Sequence, residues 1–209
     1  MLIGVYAAFC AVIDIIIYAY YHRDIDVITW TKSDPYIPRC IPQRRRQDFL
    51  DSFGFYSSCD ASWLLRSPAG YFVFFANAPV DWCARLIRVI CHSSAEAEIA
   101  AGCLLGKRSV FCIQFINAFK IDLKGPHMML IDNTATDDLC NKFGVTPRTA
   151  HFLRWQHYLR WLVIHKWIEI VFVPTKEQLA DILTKVVDFN TFVAACKILF
   201  NQRSRAARS

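Results

Sequence analysis

Hydrophobic and polar positions alternate or cluster along this chain in a way that predicts an ordered series of elements. From Phe53 the pattern predicts three strands in a row, over 53–59, 70–76 and 81–91. A long helix follows from Ser94 to about Ala118, with Ile99, Leu105, Phe111 and Ile113 supplying apolar residues for burial. A fourth strand is expected over 128–132, a helix over 133–143, another over 149–163 and a fifth strand over 168–173. Closing helices are expected over 176–184 and 189–200. Three consecutive strands, a crossover helix and a parallel strand give an α/β class: a five-stranded mixed sheet flanked by helices. The right-handed crossover rule puts the fourth strand beside the first.

Outside that block the pattern changes twice. Leu2 to Tyr21 is apolar except for Asp14, long enough to span a bilayer, although no Lys or Arg flanks its amino-terminal side. Residues 1–31 are therefore expected as an apolar segment, and 32–52 as a linker. The linker carries Pro35, Pro38, Pro42 and the run Arg44-Arg45-Arg46 with little apolar periodicity. The folded domain is expected over 53–200 and a basic tail over 201–209, with Arg203, Arg205 and Arg208.

Composition narrows the chemistry. The 209 residues, 55% of them hydrophobic, suffice for one domain with a sizeable core. Nine cysteines without a C-x-x-C pair or a His/Cys cluster fit buried thiols in a reducing compartment, and neither a disulfide framework nor a zinc site. A net charge of +6 favours a polyanionic partner.

The helix start Ser93-Ser94-Ala95-Glu96-Ala97-Glu98 carries two acids with different expected tasks. Ser93 and Glu96 have capping-box spacing. Glu98, two positions on, points to nearly the opposite side of the helix at about 100° per residue. Asp60 follows a short apolar run, Asp132 ends the run Met128 to Ile131, and Asp181 lies after a strand and a proline break. Such an acidic set without histidines suits hard divalent cations. Taken singly, Asp60 also suits a turn cap, Asp132 the N-cap of a helix beginning at Asn133, and Asp181 a solvated helix face.

The order of these motifs resembles the RNase H domain of copia-type retrotransposon Gag-Pol polyproteins. The likeness runs over about residues 53–200 and rests on five motifs. They are Cys59-Asp60-Ala61-Ser62-Trp63, Arg66-Ser67-Pro68-Ala69-Gly70-Tyr71, Ser93 to Ile99, Asp132-Asn133, and the whole closing run from Val173 to Lys185. The resemblance implies an RNase H-like fold and a metal-dependent endonuclease that hydrolyses the RNA strand of RNA/DNA hybrids during reverse transcription. It implies Asp60, Glu98, Asp132 and Asp181 as catalytic and metal-binding residues for two Mg2+ ions, with Mn2+ able to substitute. Asp60 would bridge both ions, Glu98 and Asp132 would favour the leaving-group ion, and Asp181 the water-activating one. Ser94, Asn133, Arg154 and Arg160 are the expected nucleic-acid contacts. The reverse transcriptase domain of the same polyprotein is the expected partner, and a cytoplasmic retroelement particle, or the nucleus, the expected location.

The family's usual acid and lysine are missing at Leu153 and Ala150. Two other readings stand beside the enzyme: an inactive nucleic-acid-binding relic, and a protein anchored in a membrane through residues 2–21. By the resemblance, residues 1–31 are a remnant of the reverse transcriptase end.

Overall fold

The computed structural model describes residues 37–75, 78–132 and 153–199. The apolar segment before Ile37, Asn133, the helix expected over 133–143 and the tail beyond 200 lie outside the described residues. In chain order the elements are α1 (Arg46–Asp51), β1 (Tyr56–Ala61), β2 (Pro68–Phe75), β3 (Ala78–Leu86), α2 (Ser94–Ala118), β4 (His127–Ile131), α3 (Leu153–Ile164) and β5 (Ile168–Phe172). Two 3₁₀ turns, Thr175–Glu177 and Leu179–Leu183, and α4 (Phe189–Leu199) close the chain.

The sheet is mixed and runs β3-β2-β1-β4-β5, so the expected five strands are present and the fourth lies beside the first. β1 pairs antiparallel with β2 and parallel with β4, which makes it the central strand. Every residue of β1 and β4 is buried, as expected of strands covered on both faces. Side-chain alternation divides the core in two. Cys59, Tyr71, Val73, Met129 and Ile131 join Ile99, Leu105, Leu159 and Leu162 under α2 and α3. Tyr56, Phe72, Phe74, Met128 and Leu130 join Phe49, Leu179 and Leu199 on the other face.

α2 is long and apolar enough to cross a membrane, but half of its most apolar window is buried, as befits the core helix of a sheet protein. Its two internal glycines serve its packing. A Cβ on Gly102 would stand 3.1 Å from Leu159, and one on Gly106 2.9 Å from Leu162, so both positions let α3 lie close. That close approach offsets the helix-propensity cost of about 1 kcal/mol per glycine.

Several boundaries differ from those expected. β1 starts at Tyr56 and not at 53, because Phe53 and Gly54 both take positive φ, 58° and 61°, in the turn that ends α1. Asp60 thus lies within the strand, opposite Gly70, rather than after it. The helix expected over 176–184 is two 3₁₀ turns, since Gln178 between them is extended, with ψ at 104°. From Ile37 onward the segment expected as linker packs on the sheet, with Ile41 and Phe49 fully buried. The proline and arginine pattern hid those two anchors.

Candidate metal centre

The start of α2 is capped as its sequence predicts: the Ser93 hydroxyl accepts from the Glu96 amide at 3.1 Å. The Glu96 carboxylate in turn accepts from the His92 amide at 2.6 Å. Glu96 is therefore tied to the helix end, and Glu98 is rotated away from it into the protein. There one carboxylate oxygen from each of Asp60, Glu98 and Asp132 lies within 4.8 Å of the other two. β1 supplies the first, the start of α2 the second, and the end of β4 the third.

Asp181 stands outside this group of three and is linked to it through Lys185, on closing turns that dock by specific contacts. Gln178 donates from Nε2 to the Cys59 carbonyl at 2.9 Å, and its Oε1 accepts from the Ser58 hydroxyl. Leu183 sits against Gly70, where any Cβ would collide with it. The turn so fixed brings in a cation with the acid. Lys185 Nζ donates to Asp60 Oδ1 at 3.1 Å and to Asp181 Oδ1 at 3.0 Å, and the Thr184 hydroxyl donates to Asp60 Oδ2.

Electrostatics follow from this crowding. Burial, then Asp60 and Asp132, push the Glu98 carboxyl up to about 9, against a backbone hydrogen bond from Ala61. Burial and Asp60 also raise Asp132. Asp181 is pushed up to about 6 by burial, with Lys185 opposing. Burial alone would lower the Lys185 ammonium, but Asp181 and Asp60 outweigh it and hold it above its ordinary value.

The residues fit a divalent cation. Glu98 Oε2 is buried without a hydrogen-bond partner beside two further carboxylates, a costly arrangement unless a proton or a cation satisfies it. All the donors are oxygens, which suits magnesium or manganese.

The expected nucleic-acid contacts differ in exposure. Ser94 and Arg154 are exposed. Arg160 is buried, 7% exposed, one turn beyond the buried Gln156 and next to the buried Leu159. Gln178, Thr184 and Lys185 were not singled out by the sequence, although all three stand in the closing motif. The spacing of Asp181 and Lys185, one helical turn apart, was the available signal.

No protein-family model matches the chain. The curated proteins it resembles are retrovirus-related Pol polyproteins. With that from transposon TNT 1-94 of Nicotiana tabacum it shares 28% identity over 139 residues, 66% of this chain and 10% of the relative. With that from transposon RE2 of Arabidopsis thaliana it shares 26% over 140 residues, 65% and 10% respectively. The chain thus spans about a tenth of the length of the relatives it matches. They are relatives of the kind its motifs implied. Among solved structures, the N-terminal RNase H domain of a Mycobacterium tuberculosis protein, fused to maltose-binding protein, matches with a TM-score of 0.45. Identity is 16%, over 68% of this chain and 96% of that one. The protease-reverse transcriptase of prototype foamy virus gives a TM-score of 0.38 at 17% identity, over 72% and 20%.

Proposed function

We propose that this relative of transposon Pol polyproteins is a ribonuclease H, a metal-dependent endonuclease for the RNA strand of RNA/DNA hybrids formed in reverse transcription. One observation carries the reading: Asp60, Glu98 and Asp132, from three separate elements, meet with a buried Glu98 oxygen left unpartnered. Isolated structural carboxylates do not gather in this way, because each raises the cost of ionising the next.

In this reading Asp60, Glu98 and Asp132 would hold one Mg2+ ion, and Asp60 with Asp181 would hold a second. When bound, such ions make a water nucleophilic near neutral pH and neutralise the charge growing on the departing 3′ oxygen. The chain's own part is positional. β1 and β4 fix Asp60 and Asp132 at adjacent strands, and the cap at Ser93 fixes the rotation of Glu98. Gln178 seats the turn that carries Asp181. The exposed Arg154 and Ser94 are the proposed contacts to the polyanion among the described residues. The reverse transcriptase domain of the same polyprotein is the proposed partner, in a cytoplasmic particle.

The test is cleavage of an end-labelled RNA/DNA hybrid by the full chain in Mg2+ or Mn2+. Cleavage of the RNA strand, lost on chelation and in Asp60→Asn, is the expected result. A folded sample that binds the hybrid but cleaves in neither metal would instead make the chain a nucleic-acid-binding relic.

A further inference from the structure

The four acids divide into two unlike halves. On one side Asp60, Glu98 and Asp132 converge with no basic side chain bonded to Glu98 Oε2. On the other, the carboxylates of Asp60 and Asp181 are already joined through one ammonium, Lys185 Nζ, at 3.1 and 3.0 Å. Those are the same two carboxylates that the proposed second ion needs. The ammonium sits between the two carboxylates, in the space a second ion would need, and the two cations also repel. Lys185 is held firmly at its base: its amide donates to the Asp181 carbonyl at 2.9 Å, and the neighbouring Thr184 hydroxyl bonds Asp60. Its side chain nevertheless remains 36% exposed, whereas that of Asp60 is fully enclosed, so the ammonium has a way out to solvent and the aspartate does not.

We propose that Lys185 is a tethered counter-ion standing in the place of the second metal. As folded, the chain takes one divalent cation, among Asp60, Glu98 and Asp132, and a second enters only by displacing the Lys185 ammonium. This rests on the metal-centre reading above and adds to it a residue that sets how many ions the resting protein holds. Lys185 is a positioning residue here: its single charge bridges the Asp60 and Asp181 carboxylates, offsets part of their repulsion and holds them in register until a metal replaces it.

The experiment counts Mn2+ ions bound to the full chain in the absence of nucleic acid, by equilibrium dialysis with detection of free Mn2+ by electron paramagnetic resonance. Wild type should bind one ion and Lys185→Met two, while Lys185→Arg, which keeps the charge, should bind one. In EDTA, Lys185→Met should melt below wild type, having lost the cation between two carboxylates, and Mn2+ should restore it. If Lys185→Met does not fold, Lys185→Gln, which removes the charge but keeps a donor, takes its place with the same expected count of two. Two ions in wild type, or one ion in a folded Lys185→Met, would overturn the proposal and leave the metal centre standing. No ion in wild type would overturn both.

Discussion

Glu98→Gln should stabilise the metal-free protein, although it removes a buried residue's native side chain. Glu98 has an ordinary value of 4.5 and is pushed to about 9 in the fold. Between those values the folded state binds a proton that the unfolded chain does not, so stability falls as pH rises through the window. At pH 7 the cost is roughly 3 kcal/mol, at 1.36 kcal/mol per unit, and near pH 4.5 it vanishes. Glutamine has nearly the same shape, never ionises, and can donate to Asp60 or Asp132 as the protonated acid would. For a domain of this size, roughly 3 kcal/mol corresponds to a rise of roughly 6–12 °C in Tm. Thermal melts by circular dichroism in EDTA, at pH 4.5 and pH 7, measure it. In millimolar Mg2+ the order should invert, since wild type gains by mass action and the glutamine variant loses a ligand. Because Glu98 must shed its proton to bind metal, the gain from Mg2+ in wild type should also grow with pH up to about 9. A Glu98→Gln protein that melts at or below wild type at pH 7 in EDTA, or an advantage equal at both pH values, would refute the reasoning.

Asp132→Asn should fold in EDTA yet gain almost nothing in Tm from Mg2+. Asp181→Asn should keep most of that gain and the binding of hybrid while losing turnover, which melts and a cleavage assay separate. Gly70→Ala places a methyl group against Leu183 and must shift the turn that carries Asp181 and Lys185. It should cost about 1–3 kcal/mol in urea unfolding and reduce cleavage with it. Gln178→Leu leaves the Ser58 hydroxyl and the Cys59 carbonyl unpaired in the core, and should cost about 2–3 kcal/mol by the same unfolding measurement.

What the sequence revealed follows from which forces act locally. The extent of α2 from Ser94 to Ala118 was legible because its start is a capping box, a device made of residues three apart. The parallel placement of β4 beside β1 was legible from connection handedness alone. The first strand was misplaced by three residues because apolar Phe53 looks like a strand residue, and only the positive φ of the turn shows otherwise. The burial of Arg160 depends on how α3 settles on α2, a tertiary choice that no local pattern encodes. Lys185 escaped for a related reason: its partner Asp60 lies 125 residues away in the chain, and only the docked turn brings them together.

That distance has a consequence for the order in which the protein is made. Asp60, Glu98 and Asp132 are synthesised well before the closing segment, so a nascent chain that has just folded its sheet holds three mutually repelling carboxylates and no lysine among them. The last turns deliver Gln178 to β1, Leu183 to Gly70 and one positive charge to the cluster. Contacts this remote in sequence are slow to close. A folding experiment begun from the denatured chain should therefore show the sheet forming first and competence for the second metal last. A chain cut short before Val173 would carry three of the four acids but lack the piece that makes them compatible.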